Sequence, residues 1–174
     1  MKSILLTIST LLILLAFTPA TAAELPQGVI RIAAKPAPAL QLDNLDGEAY
    51  DLEDSQGRWR FVHFWASWCG PCRKEMPMLA DLQAELGGEG FEVLTIATGR
   101  NHPQAMKKFF DEIGVENLPL HRDPAQGLAR EMGVLGLPVS VILDPEGREI
   151  ARMVGDAEWN SESGKAIIAA LLAP

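Results

Sequence analysis

Apolar residues fall along this chain in two rhythms: short continuous runs, and stripes that recur every three to four residues. The run from Arg60 to Trp65, aromatic and β-branched, predicts a buried strand. Met76, Leu79, Leu82 and Leu86 then recur at helical spacing and predict a helix from Cys72 to Leu86, closed by Gly87 and Gly88. Phe91 to Ala97 predicts a second buried strand, and Pro103 to Ile113 a helix with its proline in the first turn and Gly114 at its end. Leu118 to Arg122 predicts a short extended piece, and Asp123 a cap for a helix that ends at Met132 and Gly133. Val139 to Leu143 and Arg148 to Val154, joined by a turn over residues 144–147, predict a hairpin. Leu40 to Leu42 and Ala49 to Leu52 predict a smaller one near the start, and Asn160 to Leu172 a C-terminal helix. Strands that alternate with helices and close in a hairpin predict an α/β fold: a central mixed β-sheet with helices on both faces.

The first residues follow neither rhythm. Met1 and Lys2 form a minimal positive segment, Ile4 to Phe17 is an apolar stretch, and Thr18 to Ala23 offers small residues for processing, best at Ala20 and Ala22. Residues 1–22 therefore read as a signal peptide directing export to an oxidising compartment, the bacterial periplasm. The stretch over residues 4–17 has 14 residues, short of the ~20 that span a bilayer comfortably. A retained inner-membrane anchor through it stays open, because its flanks can extend the span. No cysteine lies near the processing region, so lipid attachment there is excluded. Residues 23–38, with Pro26, Gly28, Pro36 and Pro38, read as a linker or loosely docked arm, and residues 39–174 as one domain. The formal net charge is −8, and losing residues 1–22 removes one lysine and no acid. Such acidity is poorly suited to nucleic acid, whose affinity rests on basic groups.

Both cysteines of the chain, Cys69 and Cys72, lie where the Arg60–Trp65 strand meets the following helix. As a staple they would close only a four-residue loop, worth about 2 kcal/mol against nearly 5 for a loop of about a hundred residues. As half of a zinc site they would need two more ligands; there is no third cysteine, and His63, His102 and His121 are scattered. Dithiol redox chemistry suits the placement better. Unpaired N–H groups and the macrodipole at a helix N-terminus favour an anion, so the Cys69 thiolate should be stabilised and nucleophilic at neutral pH. Gly70 and Pro71 restrain the loop between the two sulfurs, and Pro71 occupies a first-turn position where no N–H is missed.

The segment from Trp65 through Cys69-Gly70-Pro71-Cys72 to Arg73, Lys74, Glu75, Met76 and Pro77 resembles the active site of exported TlpA-like thiol–disulfide oxidoreductases, a branch of the thioredoxin superfamily. Gly136-Leu137-Pro138, followed by Gly147, Gly155 and Trp159, is similar to the C-terminal half of that family, and the likeness covers about residues 36–172. It implies a thioredoxin-like fold with an N-terminal hairpin and a central insertion over about Gly99 to Pro124. It implies that Cys69 attacks and Cys72 resolves, that Glu75 handles protons for the dithiol, and that Pro138 follows a cis bond holding Leu137 beside Cys69. Trp68, Gly70, Pro71 and Leu137 would then form the docking surface. A solvated helix residue is the plainer reading of Glu75. Pro77 inside the helix is a superfamily trait to which no chemistry is assigned. His63 departs from the superfamily pattern, which places a buried aspartate there; it reads as a modulating base or as a buried neutral imidazole.

The resemblance implies no cofactor beyond the Cys69–Cys72 dithiol/disulfide. Its implied partners are disulfide-containing clients in the periplasm and a membrane thiol donor, with no nucleic acid. Relatives of this type serve cytochrome c maturation or the copper centres of cytochrome oxidase. A disulfide-forming oxidant is the first alternative, and the Gly-Pro spacer argues against it because that dipeptide accompanies reducing potentials. A copper-binding assembly factor of the same fold is the second; copper(I) favours thiolates, but such factors space their cysteines by three and add a histidine. A peroxidase lacks support for want of its usual threonine-and-cysteine motif.

Overall fold

The computed structural model describes residues 29–38, 41–51 and 57–172. Eight strands form a single sheet: β1 (Val29–Pro36), β2 (Gln41–Asp43), β3 (Ala49–Asp51), β4 (Trp59–Trp65), β5 (Phe91–Thr98), β6 (Leu120–Asp123), β7 (Val139–Leu143) and β8 (Arg148–Val154). Their order across the sheet is β1-β8-β7-β4-β5-β6-β2-β3. The β4–β5 and β5–β6 pairs are parallel and the others antiparallel. The mixed sheet expected from the alternation is present, and β4 lies at its centre with every residue from Arg60 to Trp65 buried.

Among the described residues four helices cover the sheet unequally: α1 (Gly70–Leu86), α2 (Pro103–Ile113), α3 (Gly127–Glu131) and α4 (Glu162–Leu172). Side chains of α1, α2 and α4 share one apolar core with Phe61 and Trp65 of β4. Leu128 and Ala129 of α3 join Val62 and Phe64 in the other. The period of two along β4 thus divides its residues between two cores. Helix α2 packs onto the end of β4 and onto α1. Phe109 and Phe110 lie 4.9 and 5.3 Å from the Trp65 ring, while Arg73 stacks over Phe109 and pairs with Glu112 at 2.7 Å. Gly114 ends α2 in the left-handed region at φ +67°, where a side chain would be strained. The N-cap of α3 is Gln126 and not Asp123, but the Asp123 carboxylate, three residues earlier, accepts from the Gly127 and Ala129 N–H groups at 2.8 and 2.9 Å and so fills the role expected of a cap.

The reading of residues 23–38 as a linker fails from Val29 to Pro36. These residues are an edge strand paired antiparallel with β8, so the sheet begins ten residues before residue 39. An edge position tolerates Pro36, because only one side of the strand must supply ladder bonds. Residues 1–28, holding the expected signal segment and the rest of the arm, lie outside the described residues. So do Leu40 and Leu52 of the expected hairpin, whose remainder is β2 paired with β3. Among the described residues no helix is long and apolar enough to cross a membrane.

Candidate active site

The site forms where β4 ends in the core and the chain turns into α1. The turn is held from two sides. Cys69 N–H donates to the Ala66 carbonyl at 3.0 Å. Asn101 Oδ1 accepts from the Ser67 N–H and hydroxyl at 2.8 and 3.0 Å, while its Nδ2 donates to the Thr98 carbonyl at the end of β5. The start of α1 is therefore fixed to the two central parallel strands.

Cys69 is the N-cap of α1, with extended backbone, and its Sγ accepts from the Cys72 N–H at 3.3 Å. The two cysteines form a disulfide with a Cα–Cα distance of 5.3 Å. Cys69 is 6% exposed and Cys72 not at all, so solvent and partner sulfurs reach the pair through Cys69. Gly70 and Pro71 are exposed beside it, and Trp68, 69% exposed, projects from the turn. Trp65 lies instead wholly in the core. The Leu137–Pro138 peptide bond is cis, as the Gly-Leu-Pro motif implied. Pro138 is buried, and Leu137 and Trp68 line a common groove of about 570 Å³ with Leu135, Gly136 and Arg100.

Glu75 is the largest departure from the plainer reading. It is buried, not solvated, on the α1 face that carries Cys72, Leu79 and Leu82. Its Oε1 accepts from the Trp159 indole N–H at 2.7 Å and the Ala157 N–H at 3.1 Å. Burial pushes the carboxyl up to about 7, outweighing those two hydrogen bonds, which favour the ionised form. His63 is also fully buried. It lies opposite Ser140 in the β4–β7 register, and its Nδ1 meets Ser140 Oγ at 2.9 Å. Burial pushes the imidazole down to about 3, so it is neutral at physiological pH. Of the two readings of His63, the buried neutral imidazole fits this environment. Its Nε2 stands 3.9 Å from Glu75 Oε2.

Asn101 and Ser140 carry no signal in the sequence, and Trp159, there only part of the C-terminal likeness, bonds to Glu75. Asn101 follows a strand end with no periodic signal. Ser140 becomes relevant only through its cross-strand register with His63.

A parallel central pair, a cysteine capping the helix that follows, and a cis-proline loop that shares a groove with Trp68 define a thioredoxin-like site. Known proteins agree. Thiol-disulfide oxidoreductase ResA of Bacillus anthracis is 30% identical over 122 residues, 70% of this chain and 69% of that protein. Thiol:disulfide interchange protein HelX of Rhodobacter capsulatus is 34% identical over 126 residues, 71% of this chain and 69% of its own length. The crystal structure of a putative thiol:disulfide interchange protein DsbE from Chlorobium tepidum superposes with a TM-score of 0.72 at 29% identity, covering 83% of this chain and all of that one. The protein is a thiol–disulfide oxidoreductase with a thioredoxin-like fold, consistent with the TlpA-like resemblance. Residues 33–151 match the AhpC/TSA family, and the chain belongs to it.

Proposed function

We propose that the protein is a periplasmic reductase that passes electrons from a membrane thiol donor to disulfides of client proteins. The observation that supports exchange through this pair is its asymmetry, a marginally exposed sulfur at the helix cap against a buried one, and the Gly70-Pro71 spacer supports the reducing direction. In the reduced protein the Cys69 thiolate, stabilised by the α1 N-terminus, attacks one sulfur of a client disulfide. A Cys69–client mixed disulfide forms and the first client thiolate leaves. The Cys72 thiol loses its proton, with Glu75 as acceptor, and its sulfur attacks Cys69 Sγ. The internal disulfide forms and the second client thiolate departs. Two electrons have then moved from the dithiol to the client, and the proton held on Glu75 is released to the client or to solvent.

Docking is assigned to Trp68, Gly70 and Pro71, which flank Cys69 in the chain and are exposed, and to the Leu137–Pro138 loop, whose Leu137 lines one groove with Trp68. The backbone of Leu137 offers an edge to an extended client segment. The clients fit maturation of cytochrome c or of the copper site of a cytochrome oxidase, where cysteines must be kept reduced in an oxidising compartment. Export through residues 1–22, with or without a retained anchor over residues 4–17, completes the reading. No cofactor is required beyond the Cys69–Cys72 pair.

Alkylation trapping in cells tests the direction of electron flow. The pair is expected to be largely reduced in growing cells and largely oxidised once the membrane donor is deleted. A pair found oxidised with the donor intact would contradict the proposal and favour a disulfide-forming role.

A further inference from the structure

His63 Nε2 and Glu75 Oε2 are both buried, and neither has a hydrogen-bond partner. They lie 3.9 Å apart, about one ångström beyond hydrogen-bond distance, so a small rotation of the carboxyl joins them. Unpaired buried polar atoms are costly, and each of these is the nearest remedy for the other. The opposite atom of each group is already engaged: His63 Nδ1 with the Ser140 hydroxyl, and Glu75 Oε1 with the Trp159 and Ala157 N–H groups.

A neutral imidazole has one donor and one acceptor nitrogen, and a hydroxyl can donate or accept. We propose that Ser140 and His63 form a tautomer-switching pair that keeps Glu75 hydrogen-bonded whether its carboxyl is protonated or ionised, making His63 a positioning residue for the proton-transfer step. With Glu75 protonated, Oε2–H donates to Nε2, and Nδ1–H donates to Ser140 Oγ. With Glu75 ionised, Ser140 O–H donates to Nδ1, and Nε2–H donates to the carboxylate. The ring stays neutral in both states. When Glu75 loses its proton, the imidazole exchanges its own proton between nitrogens through exchange with water during transient opening of the core, so the balance is one proton released per switch. The arrangement rests on the proton-handling assigned to Glu75 above and explains why a histidine stands at this position.

The histidine's burial, which disfavours an imidazolium, supports a neutral switch over an ion pair. Asp156 and Glu158, which flank the Ala157 that bonds to Glu75, both favour the protonated carboxyl. The cysteines do not titrate while the disulfide is intact, so the oxidised protein isolates the pair.

Nitrogen-15 and carboxyl carbon-13 NMR of the oxidised protein across pH 5–9 tests the proposal. His63 is expected to exchange its protonated nitrogen from Nδ1 to Nε2 with the same midpoint as Glu75, without becoming an imidazolium. In Glu75→Gln the amide N–H donates to Nε2 permanently, so the Nδ1–H tautomer should persist at every pH. In His63→Leu both forms of the carboxyl lose a partner, but the bond to the ionised form is charge-assisted and the stronger of the two, so the Glu75 midpoint should rise by about one pH unit. A single His63 tautomer throughout the wild-type titration, or an imidazolium forming in that range, would overturn the proposal. So would an unmoved Glu75 midpoint in a folded His63→Leu protein. These readouts do not depend on the direction of electron flow: a switch observed in a protein whose dithiol proves oxidising would sustain this inference and overturn only the reductase reading.

Discussion

Cys72→Ser is expected to stop turnover and leave the protein joined to its clients through Cys69. With the buried sulfur gone, the mixed disulfide at the helix cap has no internal nucleophile. Well-oriented intramolecular groups reach effective molarities of about 10⁵ M or more. Millimolar external thiol should therefore release clients at least on the order of 10³-fold more slowly, even if Cys72 falls well short of that ceiling. Cys69→Ser removes the exposed attacking sulfur, so it should form no adducts although Cys72 remains. The check is non-reducing electrophoresis of each variant from cells, with the bands identified by mass spectrometry. Adducts on Cys69→Ser and none on Cys72→Ser would reverse the two roles.

The stability of the oxidised wild-type protein over Glu75→Gln is expected to fall by about 3 kcal/mol between pH 4.5 and 8. The carboxyl's pKa is about 7 in the folded protein against an ordinary value of 4.5. Between those values the native state holds a proton that the unfolded chain has released, so raising the pH favours unfolding. Glu75's contribution is thus fully present below pH 4.5, declines through the interval and levels off above about 7. The glutamine of the variant keeps an acceptor for Trp159 and Ala157 but has no proton to lose, so the difference between the proteins isolates the carboxyl. His63 and His121, whose burial lowers their pKa values to about 3 and about 4, work in the opposite sense and are present in both proteins. Urea unfolding at a series of pH values gives the difference directly. A flat difference would mean that Glu75 titrates as an ordinary exposed carboxyl.

That second expectation replaces the weaker one a solvated first-turn residue would carry, and the signal for it was in the sequence. Cys72, Glu75, Leu79 and Leu82 are spaced three, four and three apart, the stripe of a single helix face. Reading Glu75 by its charge concealed its membership of that stripe. Elements with strong periodicity were legible almost to the residue: β4, β5, α2 and the β7–β8 hairpin follow from local apolar pattern, proline and glycine. The meeting of Cys69 with Cys72 and the cis Leu137–Pro138 bond were legible because short motifs carry them. Strand β1 was not: its β-branched start, Val29-Ile30-Arg31-Ile32, is only four residues long before Ala33, Ala34, Lys35 and Pro36 break the pattern, and its partner β8 lies more than a hundred residues later. The meeting of His63 with Ser140, 77 residues apart, depends on strand register, and that of Glu75 with Trp159, 84 apart, on how the segment before α4 packs on α1. Neither is written in local spacing.

The central claim is that the Cys69–Cys72 dithiol is a reductant, and its equilibrium potential tests that most directly. The Gly-Pro spacer and the absence of a histidine between the cysteines leave the thiolate stabilised by little more than the helix terminus. A very stable thiolate would make the reduced form too favourable and the protein oxidising. Equilibration with glutathione buffers, read by alkylation and mass, is expected to give a value nearer thioredoxin's, about −270 mV, than the strong oxidant's, about −120 mV. A potential above about −180 mV, in the isomerase range or beyond, would contradict the account.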